Sequence, residues 1–159
     1  MDGDTDMDAE RPRWRLTLNY RLHRRFQLGI EYNPVVQEVN PLFSLFLFTE
    51  TALRPALFLG TSSDRIGSPE GEHAYFLTAT KRLPQLPISA YATINYSELD
   101  DNLNFPFGVS VDFGKGFSVR PMYDGVRSHL MFNYFQTHVG VSLMYIWLER
   151  FGISMSTAF

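Results

Sequence analysis

An all-β chain of antiparallel, up-and-down strands is predicted by three observations. Apolar and polar residues alternate with a period of two along nearly the whole sequence. The alternating runs are about eight to eleven residues long and are bounded by turn signals. No segment carries the 3.6-residue period of an amphipathic helix.

The elements follow in order. Residues 13–22 put Trp14, Leu16, Leu18, Tyr20 and Leu22 on one face and Arg13, Arg15, Thr17, Asn19 and Arg21 on the other. Successive strand side chains point to opposite faces, so this segment has one apolar and one polar face. Residues 25–32 repeat the pattern, with His23 and Arg24 as a two-residue hairpin link. Residues 42–48 and 55–59 are apolar on both faces, as in strands buried on both sides or strands whose inner face is packed. Residues 60–73 and 97–104 are polar loops, and residues 82–87 carry two prolines and cannot be a central strand. Alternation resumes over residues 88–97 and 107–113. Gly114-Lys115-Gly116 and Asp124-Gly125 mark turns around the strand at 117–123. Strands at 130–134, 139–147 and 151–159 complete the chain. These are about eleven candidates, and single-chain bacterial barrels hold an even number, so ten to twelve strands are expected.

Composition bounds the function. A length of 159 residues sets a prior of one domain. With 45% apolar and 15% aromatic residues, the chain is not disordered. It has no cysteine, which excludes disulfides, thiol catalysis and Cys-ligated metals. A net charge of −3 argues against a nucleic-acid partner. No apolar run reaches the length of about 18 residues that a membrane helix needs. Residues 1–10 hold five acids and no base, so residues 1–12 read as a solvated acidic arm and residues 13–159 as the β domain. The arm lacks the basic start and apolar core of a signal peptide.

Period alone does not say which face is inside. A soluble sandwich buries the apolar face, whereas a membrane barrel turns it to lipid and lines its lumen with the polar one. Aromatic residues such as Trp14, Tyr32, Phe107, Tyr123, Tyr134 and Trp147 cluster near strand ends on the apolar face, as in interfacial girdles. The polar face mixes small residues with opposed charges, and lysine is scarce on it. Both features favour a transmembrane β-barrel.

The chain ends RFGISMSTAF. Phe159, preceded at alternate positions by Thr157, Met155, Ile153 and Phe151, resembles the last-strand signal of Gram-negative outer-membrane barrel proteins. Arg150 and Gly152 match the start of that pattern, while Thr157 stands where an aromatic is usual. The resemblance implies a bacterial outer-membrane location, contact with outer-membrane lipid, and a partner in the outer-membrane assembly machinery, which pairs with this strand. Residues 117–134 also resemble the strand–YDG–strand hairpin of YjbH-type outer-membrane proteins tied to exopolysaccharide export. That implies a porin-like scaffold or narrow conduit, or a subunit among other envelope proteins.

Arg13, Arg15, Arg21, Arg25, Glu31, Asp112, Arg120, Asp124, Arg127 and His129 are expected to line the lumen. Charges in a narrow barrel must be paired or line a water path, and pairing of the arginines with Glu31, Asp112 and Asp124 is the expectation. The four histidines show no metal-ligand spacing, and neither metal nor cofactor is expected. An alternative function is a lipid-modifying enzyme using His129. Ser128 points to the opposite face from His129, so the nucleophile would be Ser110 or Ser118. A second alternative is a soluble lipocalin-like binder of an apolar ligand.

Overall fold

A computed structural model describes residues 15–34, 37–63 and 73–158. Those residues form twelve strands and no helix: β1 (Leu16–His23), β2 (Phe26–Asn33), β3 (Glu38–Phe48), β4 (Ala56–Ser63), β5 (His73–Arg82), β6 (Ile88–Ser97), β7 (Asn102–Asn104), β8 (Phe107–Gly114), β9 (Phe117–Tyr123), β10 (Ser128–Gln136), β11 (Val139–Ile146) and β12 (Arg150–Thr157). They make one antiparallel sheet in sequence order, except that the short β7 folds back on β6 and leaves β8 as the next strand of the path.

The register carries the sequence alternation across the sheet. Phe132 faces Val119 on one side and Leu143 on the other, and the next residue, Asn133, faces Ser118 and Ser142. At the other edge Leu18 faces Ile30 and Thr17 faces Glu31. Each row therefore keeps to its own side of the sheet from strand to strand.

The apolar face is outside. Leu18, Ile30, Ile94, Phe107, Phe132, Leu143 and Ile153 are all exposed. Among the described residues, the buried apolar side chains are Ala56 and Ala74, whereas Glu31, Asn40, Thr78, Ser97, His129, Asn133 and Ser142 are buried polar ones. This inverts the usual preference of a water-soluble domain. A single sheet with no covering layer buries one face only by curling toward it, so the sheet curls around its polar side.

Antiparallel succession places the links alternately at two rims. The first rim holds the strand ends at Asn33 and Glu38 and at Ser63 and His73, with links 98–106, 124–127 and 147–149, and the second holds links 24–25, 49–55, 83–87, 115–116 and 137–138. Near the first rim the outer face carries paired rings: Tyr75 with Tyr96 at 6.4 Å, Phe107 with Tyr123 at 5.4 Å and Tyr145 with Phe151 at 4.9 Å. Near the second rim Phe117 and Tyr134 lie 4.5 Å apart, beside an exposed Phe113. Cross-strand ring pairs stabilise a ladder at its ends. Between the two aromatic rows lie aliphatic side chains of Leu, Ile and Val.

Several expectations need correction. The sheet has twelve strands but is not closed: among the described residues, β1 pairs only with β2 and β12 only with β11. The first hairpin turns at Arg24 and Arg25, and His23 ends β1. Residues 60–63 continue β4, because their Gly, Thr and Ser side chains fit the ladder with β5. Residues 102–104 form β7 inside the expected loop. Trp147 leaves the outer row and enters a turn with φ of +54°. The doubly apolar segments resolve as inner-face packing, with Leu42, Phe46 and Phe58 on the polar side's row.

Candidate functional site

The inner face is a series of cross-strand polar clusters around an aromatic inset. Near the first rim the Arg15 Nε lies 3.4 Å from the Glu31 carboxylate, which also accepts the Ser63 hydroxyl at 2.6 Å. The Glu31 side chain is 10% exposed, and these two partners, one on β4 and one just before β1, offset its loss of water. Across the middle, the Thr78 and Thr93 hydroxyls meet at 2.8 Å, and Thr80 donates to the Ala90 carbonyl at 3.2 Å. Asn95 donates to the Asn104 side chain at 3.1 Å, which explains why β7 returns to β6. Ser142 donates to Asn133 at 2.7 Å, and Asn133 donates to Ser118 at 3.4 Å, linking β11, β10 and β9.

The inset is apolar. Phe46 and Phe58 lie 5.1 Å apart, and Phe58 meets Phe76 edge-on at 6.0 Å. Further round, the Tyr91 ring lies over Gly108, where a Cβ would sit 2.7 Å from a ring carbon. Glycine is required there by the close approach of that ring. Side chains thus narrow the inner space from β3 to β8.

A second first-rim cluster is built on the turn 124–127. The Asp124 Oδ1 accepts the backbone N–H of Val126 at 2.8 Å and of Arg127 at 2.7 Å, closing an Asx-type turn. Its Oδ2 lies 2.6 Å from the Nε2 of buried His129. The His129 Nδ1 accepts the Trp147 backbone N–H at 3.4 Å from the neighbouring turn. An accepting Nδ1 leaves the neutral ring's proton on Nε2, which donates to Asp124. The Arg127 guanidinium covers the Trp147 ring at 4.6 Å. Burial pushes the Asp124 pKa up, but the bonds from His129, Arg127 and Val126 outweigh it and hold the carboxyl below its ordinary value. On the same rim Glu98 is held low, chiefly by the backbone N–H of His73 and then by the Tyr75 hydroxyl.

The structure brings together only part of the expected lumen set. Arg13 and Phe159 lie outside the described residues. Arg15 and Glu31 pair. Arg21 and Arg120 stand on the inner row, on β1 and β9. Arg25 sits at the tip of the first hairpin, where its N–H donates to the His23 ring at 3.3 Å. Asp112 caps its own turn by accepting the Gly114 N–H at 2.7 Å. Among the described residues, no carboxylate pairs with Arg21, Arg25, Arg120 or Arg127. Among the described residues, the expected pairing forms at Arg15–Glu31. Asp112 and Asp124 sit at strand ends, where unmatched turn N–H groups claim their oxygens first. Phe151, Ile153 and Met155 project outward from β12 and are exposed. Both nitrogens of His129 are engaged, so neither is left to take a proton from Ser110 or Ser118.

Sequence reasoning missed Ser63, Thr78, Asn133 and Ser142 as site residues. Their parity put the last two on the polar row, but their partners depend on register. No known family model matches the chain, and no curated protein or solved structure matches it either.

Proposed function

We propose that the chain is an outer-membrane β-barrel protein that acts as a membrane-embedded scaffold or narrow conduit, working alone or as a subunit of a larger envelope assembly. One observation carries the reading: large apolar side chains are exposed on one face of the sheet while polar and charged ones are buried on the other. Lipid is the solvent that suits such a face, and a small lumen suits the hydrogen-bonded row behind it. The aromatic rows near both rims fit the two lipid interfaces. The inward Phe46–Phe58–Phe76 inset and Tyr91 support a narrow conduit over a wide pore. A soluble lipocalin-like binder would bury the row that is exposed here. A lipid-modifying enzyme would need a free nitrogen on His129.

The test is extraction into mild detergent and electrophoresis in SDS with and without boiling. A folded membrane barrel resists SDS and migrates anomalously until heated, since its backbone groups are satisfied within the ladder. A heat-dependent shift with β-type circular dichroism is expected. A protein that is folded and monodisperse without detergent would overturn the reading. Bilayer conductance then separates conduit from scaffold.

A further inference from the structure

The two rims carry opposite charge. The second-rim links hold Arg24, Arg25, Arg54 and Lys115 against one acid, Glu50. The first-rim links 98–106, 124–127 and 147–149 hold Glu98, Asp100, Asp101, Asp124 and Glu149 against one base, Arg127.

Three neighbouring second-rim links are joined into one patch. The Lys81 ammonium, at the end of β5, donates to the Thr51 carbonyl and, at 3.0 Å, to the Ala52 carbonyl of link 49–55. The next residue, Arg82, donates its backbone N–H to the Glu50 carboxylate at 3.0 Å. At the far end of link 83–87, the Asp112 N–H of β8 donates to the Pro87 carbonyl at 2.7 Å. β8 then runs into the turn that presents Lys115, whose φ is +52°. The acids of this patch are already engaged. Glu50 lies 3.5 Å from the Lys81 ammonium, and Asp112 accepts the Gly114 N–H at 2.7 Å. Among the described residues, no carboxylate pairs with Arg54, Arg82 or Lys115. All three are exposed, so they are open to an anion from outside.

The same patch carries apolar tips. Leu53 is 98% exposed, and Leu83, Leu86 and Phe113 are exposed beside it. The Arg54 guanidinium lies 4.7 Å over the exposed Phe48 ring at the end of β3. These groups continue the outward apolar face to the rim. At such a boundary, long basic side chains lay their stems on apolar surface and lift their charged heads to the headgroup level. A soluble acidic partner would match the charge but not the leucines. An anionic lipid matches both.

We propose that the patch on links 49–55, 83–87 and 115–116 binds the phosphate groups of anionic phospholipids in the leaflet around the second rim. Arg54, Arg82 and Lys115 are the contacting cations. The inference rests on the membrane reading above. Arginine meets phosphate oxygens with paired N–H donors, and lysine meets them as a point charge. The acidic first rim repels the same headgroups, so the preference belongs to one end of the molecule.

Phe107 and Phe113 stand at opposite ends of β8 and are both exposed, so a tryptophan at either reads the lipid at one rim. The full chain carrying Phe113→Trp or Phe107→Trp is folded into vesicles of equal parts phosphatidylcholine and phosphatidylglycerol. One lipid or the other carries bromine on its acyl chains, which quenches indole fluorescence, and the parent protein supplies the background. At position 113, brominated phosphatidylglycerol is expected to quench at least about twofold more than brominated phosphatidylcholine, since one basic residue near a surface is worth about a fivefold preference. No such excess is expected at position 107. High salt should bring the ratio at 113 to one, and so should Arg82→Gln with Lys115→Asn, a residue that tolerates the left-handed backbone. Phe117→Trp, exposed on the other side of the same turn, takes over as reporter if the first variant lacks the heat-dependent gel shift. Equal quenching by the two lipids at the second rim overturns the inference. So does an equal excess at 107, or an excess at 113 that survives the double substitution. The heat shift of the parent protein is read in parallel. Its persistence beside equal quenching keeps the membrane reading and removes this one, and its loss removes both.

Discussion

His129 shows how one buried side chain ties two turns together. Its ring ties the turn at 124–127 to the turn at 147–149 through Asp124 and the Trp147 N–H. Replacing it with alanine leaves the partly buried Asp124 carboxylate short of a partner, which costs about 1 kcal/mol. We expect His129→Ala to lower the temperature of the SDS-gel shift without changing hydrolysis of any lipid substrate supplied. A loss of measured lipid hydrolysis would restore the enzyme reading. The Asp124 carboxyl adds a pH dependence. Its folded pKa lies below its unfolded one, so its contribution is complete above the ordinary aspartate value and drains away as pH falls through the lower, folded value. Melting temperature measured across this acidic range should fall more steeply for the parent than for Asp124→Asn. Parallel curves for the two proteins would sink the assignment.

At the scale of elements, the ladder joins strands through paired faces rather than through a core. Gly108 on β8 faces Tyr91 on β6, and the ring fills the place where a side chain would stand. Gly108→Ala forces the ring off its position, a cost of about 1–3 kcal/mol by analogy with overpacked interiors. Thermal unfolding in detergent measures it, and an unchanged midpoint would show that Tyr91 swings aside freely. The same ring and the Phe46–Phe58–Phe76 group narrow the inner space. Phe58→Ala removes the middle of that group, and a conduit should then conduct more ions per channel in planar bilayers. No change from a protein that does conduct would place the constriction elsewhere.

For the whole molecule, the inverted polarity makes a surface substitution the sharpest discriminator. Leu143 is exposed in the middle of β11, between the two aromatic rows. In water, an exposed leucine replaced by arginine changes stability by about 0.5 kcal/mol or less. In a bilayer the same change near the midplane costs about 2–4 kcal/mol. Leu143→Arg should therefore reduce folding into lipid vesicles strongly, and a neutral result would point to an aqueous outer face. The openness of the sheet belongs to this scale as well. Odd parity makes the two edges run the same way, so β1 and β12 cannot join each other as an antiparallel pair.

The amino-acid sequence by itself determined the strands and the composition of their two faces. Alternation is a local property, set by the opposite directions of successive Cβ atoms, so Leu16, Leu18 and Tyr20 were separable from Thr17, Asn19 and Arg21 before any partner was known. Turn chemistry was local too, as at Gly114-Lys115-Gly116, where all three φ angles are positive. Only the tertiary structure decided which residues meet. Asn133 finds Ser142, and Asp124 finds His129 rather than an arginine, because register and strand ends set those contacts. Nor could the sequence show that β7 leaves the path, which makes the ladder odd and the sheet open. Period two is identical for a core-facing and a lipid-facing row. The direction of curl distinguishes them, and curl is a property of the assembled sheet.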